Sequence, residues 1–184
     1  MSSPPPWPAV DPGRVQVVHL DAAAFRALAA GDLAGANAAS PVPLTAAFVD
    51  PGWRGVWRMR RDQVEADPAS AAWVTGVIWD RARQLAVGRA GYHGPPDADG
   101  RLEVGYAVDP AHRRQGYARA ALALLLARAA AEPGVRTVRL SISPANTVSA
   151  HLAARFGFAV VGEQVDEEDG PELIWERAVP DGGS

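Results

Sequence analysis

Residues 104–119 carry the densest chemistry in the chain. An apolar strand passes through Asp109-Pro110-Ala111-His112-Arg113-Arg114-Gln115-Gly116 straight into a helix opening Tyr117-Ala118-Arg119. The first-turn amides of such a helix have no acceptor within it, and the aligned peptide dipoles leave partial positive charge there. Gly116 lets backbone approach a ligand closely, while Arg113, Arg114 and Arg119 add full charges. This is the composition of an anion site, and a diphosphate suits it. A helix-starting glycine among solvated arginines is the plainer alternative that these residues alone leave open. Two better-known phosphate loops are excluded. The Walker pattern needs a lysine, and the chain has none; the dinucleotide fingerprint needs three spaced glycines.

A second segment, Asn146-Thr147-Val148-Ser149 followed by Arg155-Phe156-Gly157-Phe158, opens a short helix further on. Asn146 suits either an N-cap or a ligand contact. The four histidines, His19, His93, His112 and His151, lie far apart and form no metal-ligand spacing. His112 flanks the anion loop, and His151 reads as structural or exposed.

The elements that must hold these segments follow from periodicity. Residues 14–20 read as a strand, and Asp21 caps a helix running to residue 30. Residues 34–69 are broken by Pro41, Pro43 and Pro51, with a second helix over 55–66. Trp53 and Trp57 in that segment are set apart from the other tryptophans as pocket candidates. Strands follow at 72–79 and 85–92, joined by a turn over 80–83, and then a breaker-rich loop at 94–100 and a strand at 102–108. After the long helix, 116–131, come a strand at 135–143, the short helix, and a closing hairpin of 158–165 with 172–178. No repeat or linker divides residues 14–180, which read as one domain with one mixed sheet flanked by helices. Residues 1–13 hold five prolines and are expected to be a disordered tail.

Composition narrows the functions. All 18 basic residues are arginine, and against 21 acidic ones they give a formal charge of −3, which argues against general nucleic-acid binding. The absence of cysteine removes disulfides, thiolate metal sites and cysteine nucleophiles together. No apolar run reaches the length of a membrane span, and no signal peptide is evident, so a cytoplasmic protein without a membrane partner is expected.

The loop and the second segment together resemble the GNAT superfamily of N-acetyltransferases. Arg113-Arg114-Gln115-Gly116-Tyr117-Ala118 matches that family's Q/R-x-x-G-x-G/A signature, and Asn146 to Ser149 with Gly157-Phe158 matches its N-x-x-S…GF segment. The likeness is specific over about residues 100–178. It implies an α/β fold: a mixed, mostly antiparallel sheet of six to seven strands with about four flanking helices. Acetyl-coenzyme A would enter as co-substrate where two parallel strands, 102–108 and 137–142, splay apart. By the resemblance, the backbone of Tyr106, Ala107 and Val108 pairs with the pantetheine arm, and the amides of residues 114–119, including Gln115, Gly116, Tyr117 and Ala118, hold the pyrophosphate. Asn146 bonds the pantetheine.

Where members of the family carry a catalytic tyrosine this chain has Ala153. The strand carboxylate of other members falls at Ser141, and the glutamate of the histone-acetylating branch at Leu102. These departures point to the branch resembling ribosomal-protein N-terminal acetyltransferases. Ser149, near the sulfur, is then the candidate proton donor and Glu103 a candidate base. The implied acceptor is a small-molecule amine or a peptide N-terminus, with no metal, and a homodimer is an open assembly. The rival reading is a non-catalytic acyl-coenzyme A-binding regulatory domain of the same fold.

Overall fold

The computed structural model describes residues 12–167 and 170–180. The expected tail lies outside the described residues except for its last two, which join Arg14 in a single 3-10 turn. Residues 168 and 169 of the closing hairpin also lie outside. The described elements are β1 (Val15–Val18), α1 (Ala22–Ala30), α2 (Leu33–Ala39), α3 (Arg54–Ala66), β2 (Gly76–Asp80), β3 (Leu85–Tyr92), β4 (Arg101–Val108), α4 (Tyr117–Ala131), β5 (Thr137–Ile142), α5 (Thr147–Arg155), β6 (Ala159–Asp166) and β7 (Gly170–Ala178). Strand order is β1-β2-β3-β4-β5-β7-β6. β4 and β5 pair in parallel, while β1–β2, β2–β3, β5–β7 and β6–β7 are antiparallel, so the sheet is mixed as the sequence implies.

The chain divides into two compact units, one running to Gly91 and including Tyr106–Leu124, the other made of Tyr92–Gly105 and the chain from Leu125 on. In the first unit, Asp21 caps α1 by accepting the Ala24 amide, and α1 buries Ala24, Phe25 and Leu28 on one stripe. α3 packs against it, burying Trp57, Arg60 and Val64 at helical spacing. Phe25, Phe48, Trp53 and Trp57 form an aromatic group with ring centroids 5.4 to 6.3 Å apart. Trp57 is completely buried and its indole nitrogen donates to the Phe48 carbonyl at 2.8 Å. It is therefore core, which corrects its reading as a pocket residue. Trp53 is partly buried, packs edge-on against Phe48, and lies under the Arg89 guanidinium.

Two other expectations change. α2 is a helix the sequence did not show, so three helices separate β1 from β2. β2 begins at Gly76 rather than residue 72, because Pro68–Ala72 turns as a 3-10 segment capped by Asp67.

In the second unit, β5 alternates strictly, with Val138, Leu140 and Ile142 buried and Thr137, Arg139 and Ser141 on the opposite, partly open face. That second face is polar. Glu176 of β7 accepts from Arg139 at 2.7 Å and lies 3.2 Å from Arg101 of β4.

Candidate functional site

The anion loop lies wholly in the first unit. Asp109 accepts the Ala111 amide and starts a 3-10 turn over Pro110–His112, and the chain then swings into α4. Two residues of this passage have left-handed backbone, Arg114 at φ 61° and Gly116 at φ 87°. Gly116 adopts this conformation freely, whereas Arg114 is strained in it. Arg113 just before them is extended, at φ −64° and ψ 162°. Helical bonding begins with the Ala120 amide on the Gly116 carbonyl, so the amides of Tyr117, Ala118 and Arg119 precede the ladder. Arg113, Arg114 and Arg119 are all exposed around them.

Side chains of the loop divide by role. The Gln115 amide oxygen is taken by Arg83 at 2.9 Å. Tyr117 turns its side chain inward, where its hydroxyl donates to Asp80 Oδ2 at 2.6 Å. Only the backbone of Tyr117 is thus placed to serve an anion. Arg113 Nε donates to the Val108 carbonyl at 3.3 Å.

The edge of β4 is readable from its bonds. Glu103 O accepts from the His93 amide and the Asp109 amide donates to Val87 O, so odd-numbered residues turn their backbone polar groups toward β3. Tyr106 and Val108 turn theirs to the opposite edge, and Ala107 does not. Register with β5 covers Arg101 to Glu103 only, although both strands run on.

In the second unit, Glu103 is the centre of a polar cluster. Ser141 donates its hydroxyl to Glu103 Oε1 at 2.8 Å, and His93 Nδ1 lies 3.6 Å from the same oxygen. Gln164 of β6 donates to Ser141 Oγ at 3.2 Å and to Glu172 Oε2 at 2.8 Å. A carboxylate of β4 thus meets a serine of β5, its neighbouring strand. Asn146 is the N-cap of α5: its Oδ1 accepts the Ser149 amide at 3.1 Å, leaving its NH2 group outside the cap bond. Ser149 is partly exposed in the first turn and His151 is exposed. Among the described residues no group of His, Asp and Glu could hold a metal ion, and no helix is long and apolar enough to cross a membrane.

Asp80, the most heavily bonded side chain near the loop, was not foreseen. It reads in sequence as an ordinary turn residue after a strand. Burial by itself would raise its carboxyl, yet hydrogen bonds from Arg14, Tyr117 and the Arg83 backbone hold it well below the usual carboxylate range. Tyr117 is raised, first by burial and then by the carboxylate it bonds.

The first unit thus holds a left-handed loop leading into an arginine-flanked helix N-terminus, and the second holds the parallel pairing of β4 with β5. The family model described as acetyltransferase (GNAT) domain matches residues 19–159, and the chain belongs to this family of N-acetyltransferases. No curated protein matches it. Among solved structures it is similar to the ribosomal-protein-S5-alanine acetyltransferase of Vibrio fischeri, with 17% identity and a TM-score of 0.62 over 93% of this chain and 96% of that one. A ribosomal L7/L12 α-N-protein acetyltransferase in complex with coenzyme A gives 14%, 0.64, 91% and 96%. A dodecameric spermidine N-acetyltransferase of Vibrio cholerae gives 15%, 0.63, 90% and 94%. At these identities the likeness is one of fold.

Proposed function

We propose that this enzyme moves an acetyl group from acetyl-coenzyme A to the primary amine of a small molecule or of a protein N-terminus, by direct attack. The observation that carries the reading is the pair of left-handed residues, Arg114 and Gly116, in a loop with three exposed arginines at the start of α4. A diphosphate needs several converging donors and local positive charge, and the loop offers both. The acceptor class draws support from the structural relatives, one acting on a ribosomal protein's alanine and another on spermidine.

When bound, acetyl-coenzyme A supplies a thioester whose C–S bond breaks as the new C–N bond forms. The chain's own part is to hold and to move protons. Tyr106 and Val108 offer strand amides and carbonyls to an extended arm. Glu103, steadied by the Ser141 hydroxyl, takes the proton that an ammonium acceptor must lose before its nitrogen can attack. The Ser149 hydroxyl gives a proton to the departing sulfur and recovers one from solvent. Asn146 Nδ2, outside the cap bond, is a donor for the arm's carbonyls.

Calorimetric titration with coenzyme A tests the first half of this reading, and free-thiol release from acetyl-coenzyme A with a panel of amines and peptide N-termini tests the second. Binding with turnover on at least one amine is expected. Binding with turnover on none would instead favour a regulatory acyl-coenzyme A sensor, and no binding would remove the loop's assignment.

A further inference from the structure

The Asp80 carboxylate receives five hydrogen bonds: Arg14 Nε at 2.9 Å and Nη2 at 2.6 Å, the amides of Ala82 and Arg83 at 3.0 Å each, and the Tyr117 hydroxyl at 2.6 Å. A carboxylate used only to stabilise the first unit would be complete with Arg14 and the turn amides. Two bonds go further. Arg83, on the same turn between β2 and β3, donates from a single nitrogen to the Tyr117 hydroxyl at 3.2 Å and to Gln115 Oε1 at 2.9 Å. Gln115 and Tyr117 are the residues on either side of Gly116. The turn thus grips the anion loop immediately before and after its most flexible residue, and it does so with one buried and one exposed contact.

We propose that the β2–β3 turn is a positioning element of the coenzyme site, with Asp80 and Arg83 acting through Tyr117 and Gln115 to aim the amides around Gly116 at the diphosphate. The inference rests on the diphosphate reading of residues 113–119. Hydrogen bonds weaken steeply as the donor angle closes, so an anion held by several backbone amides depends on their shared direction. Gly116 imposes little direction of its own, because a glycine at positive φ has open conformational space on both sides. Direction must come from its neighbours, and both neighbours are tied to the same turn. The Asp80 carboxylate is buried with a part-exposed Arg14 paired to it, while the Gln115–Arg83 contact is exposed and contributes little to folding. A purely structural role gives no reason for the second contact.

Coenzyme A and pantetheine, which lacks the diphosphate and nucleotide, separate positioning from general damage. In the wild-type protein coenzyme A should bind far more tightly than pantetheine; absence of any coenzyme A binding sinks the diphosphate reading itself and the positioning role with it. Tyr117→Phe should raise the Kd for coenzyme A about tenfold, the scale of one hydrogen bond to a charged group, and leave that for pantetheine unchanged. Arg83→Gln, at an exposed position, should raise it about threefold with the same selectivity, and it carries the test if Tyr117→Phe fails to fold. Wild-type-like coenzyme A affinity in a folded variant, or an equal loss for both ligands, would overturn the positioning role while leaving the diphosphate assignment intact.

Discussion

The anion loop of the first unit and the polar sheet face of the second are made of opposite materials. The loop offers backbone, namely two left-handed residues and the amides of the first helical turn, with exposed arginines around them. The sheet face works through side chains, with Glu103, Ser141, Gln164 and Glu172 linked in a chain of hydrogen bonds between strands. Backbone donors recognise a group that every turnover presents unchanged. Side-chain acids can change protonation, which a reaction that moves protons requires. Under the proposed function, binding falls to one region and proton handling to the other, and substitutions can break that division.

Gly116→Glu should have the largest effect, since it forces a side chain into left-handed backbone and sets a carboxylate against the diphosphate; at least a hundredfold loss of coenzyme A affinity is expected by calorimetry. A smaller loss would misplace the loop. Glu103→Gln should lower turnover about a hundredfold with coenzyme A affinity within about twofold of wild type, and a change in affinity of the same size as the turnover loss would erase the division. For Ser149→Ala a loss in turnover of about tenfold is expected, because water can replace a hydroxyl as proton donor; unchanged turnover removes the role.

The smallest effect concerns pH. Asp80 is held below its ordinary value of 3.8, so the folded chain binds fewer protons there than the unfolded chain. Its contribution to stability is complete above about pH 4 and is lost as pH falls through the depressed folded value. Acid denaturation of Asp80→Asn should accordingly be less steep below that pH than in the wild type. An identical acid slope would mean that the carboxylate is not coupled to folding of the first unit.

Much of this was legible in the chain itself. β5 and α1 follow from alternation and helical spacing because each has one buried face, and Asp21 marks a cap that the structure realises. α2 was not legible, since Leu-Ala-Gly-Ala-Asn-Ala-Ala has weak helix formers at Gly35 and Asn37 and prolines soon after it. Its order comes from outside the propensity scale: Asp32 caps it, and Asn37 ties it to Leu44 through both ends of its amide. The loop's arginines stand out in the sequence because they share one contiguous segment with Gly116. Asp80 and Tyr117 are 37 residues apart, and no local pattern marks a contact of that span. The Glu103–Ser141 bond was hidden for the same reason, with alternation giving the face of each residue but not the pairing that joins them.

The left-handed backbone of Arg114 has a kinetic consequence. Its strain is borne when the chain folds, so the ligand meets amides already arranged and has no loop closure to wait for. Association with coenzyme A should be a single exponential whose rate rises linearly with concentration, without the plateau that a slow isomerisation would impose. Arg114→Gly would relieve the strain and free the loop, and a second, concentration-independent phase should then emerge in stopped-flow traces.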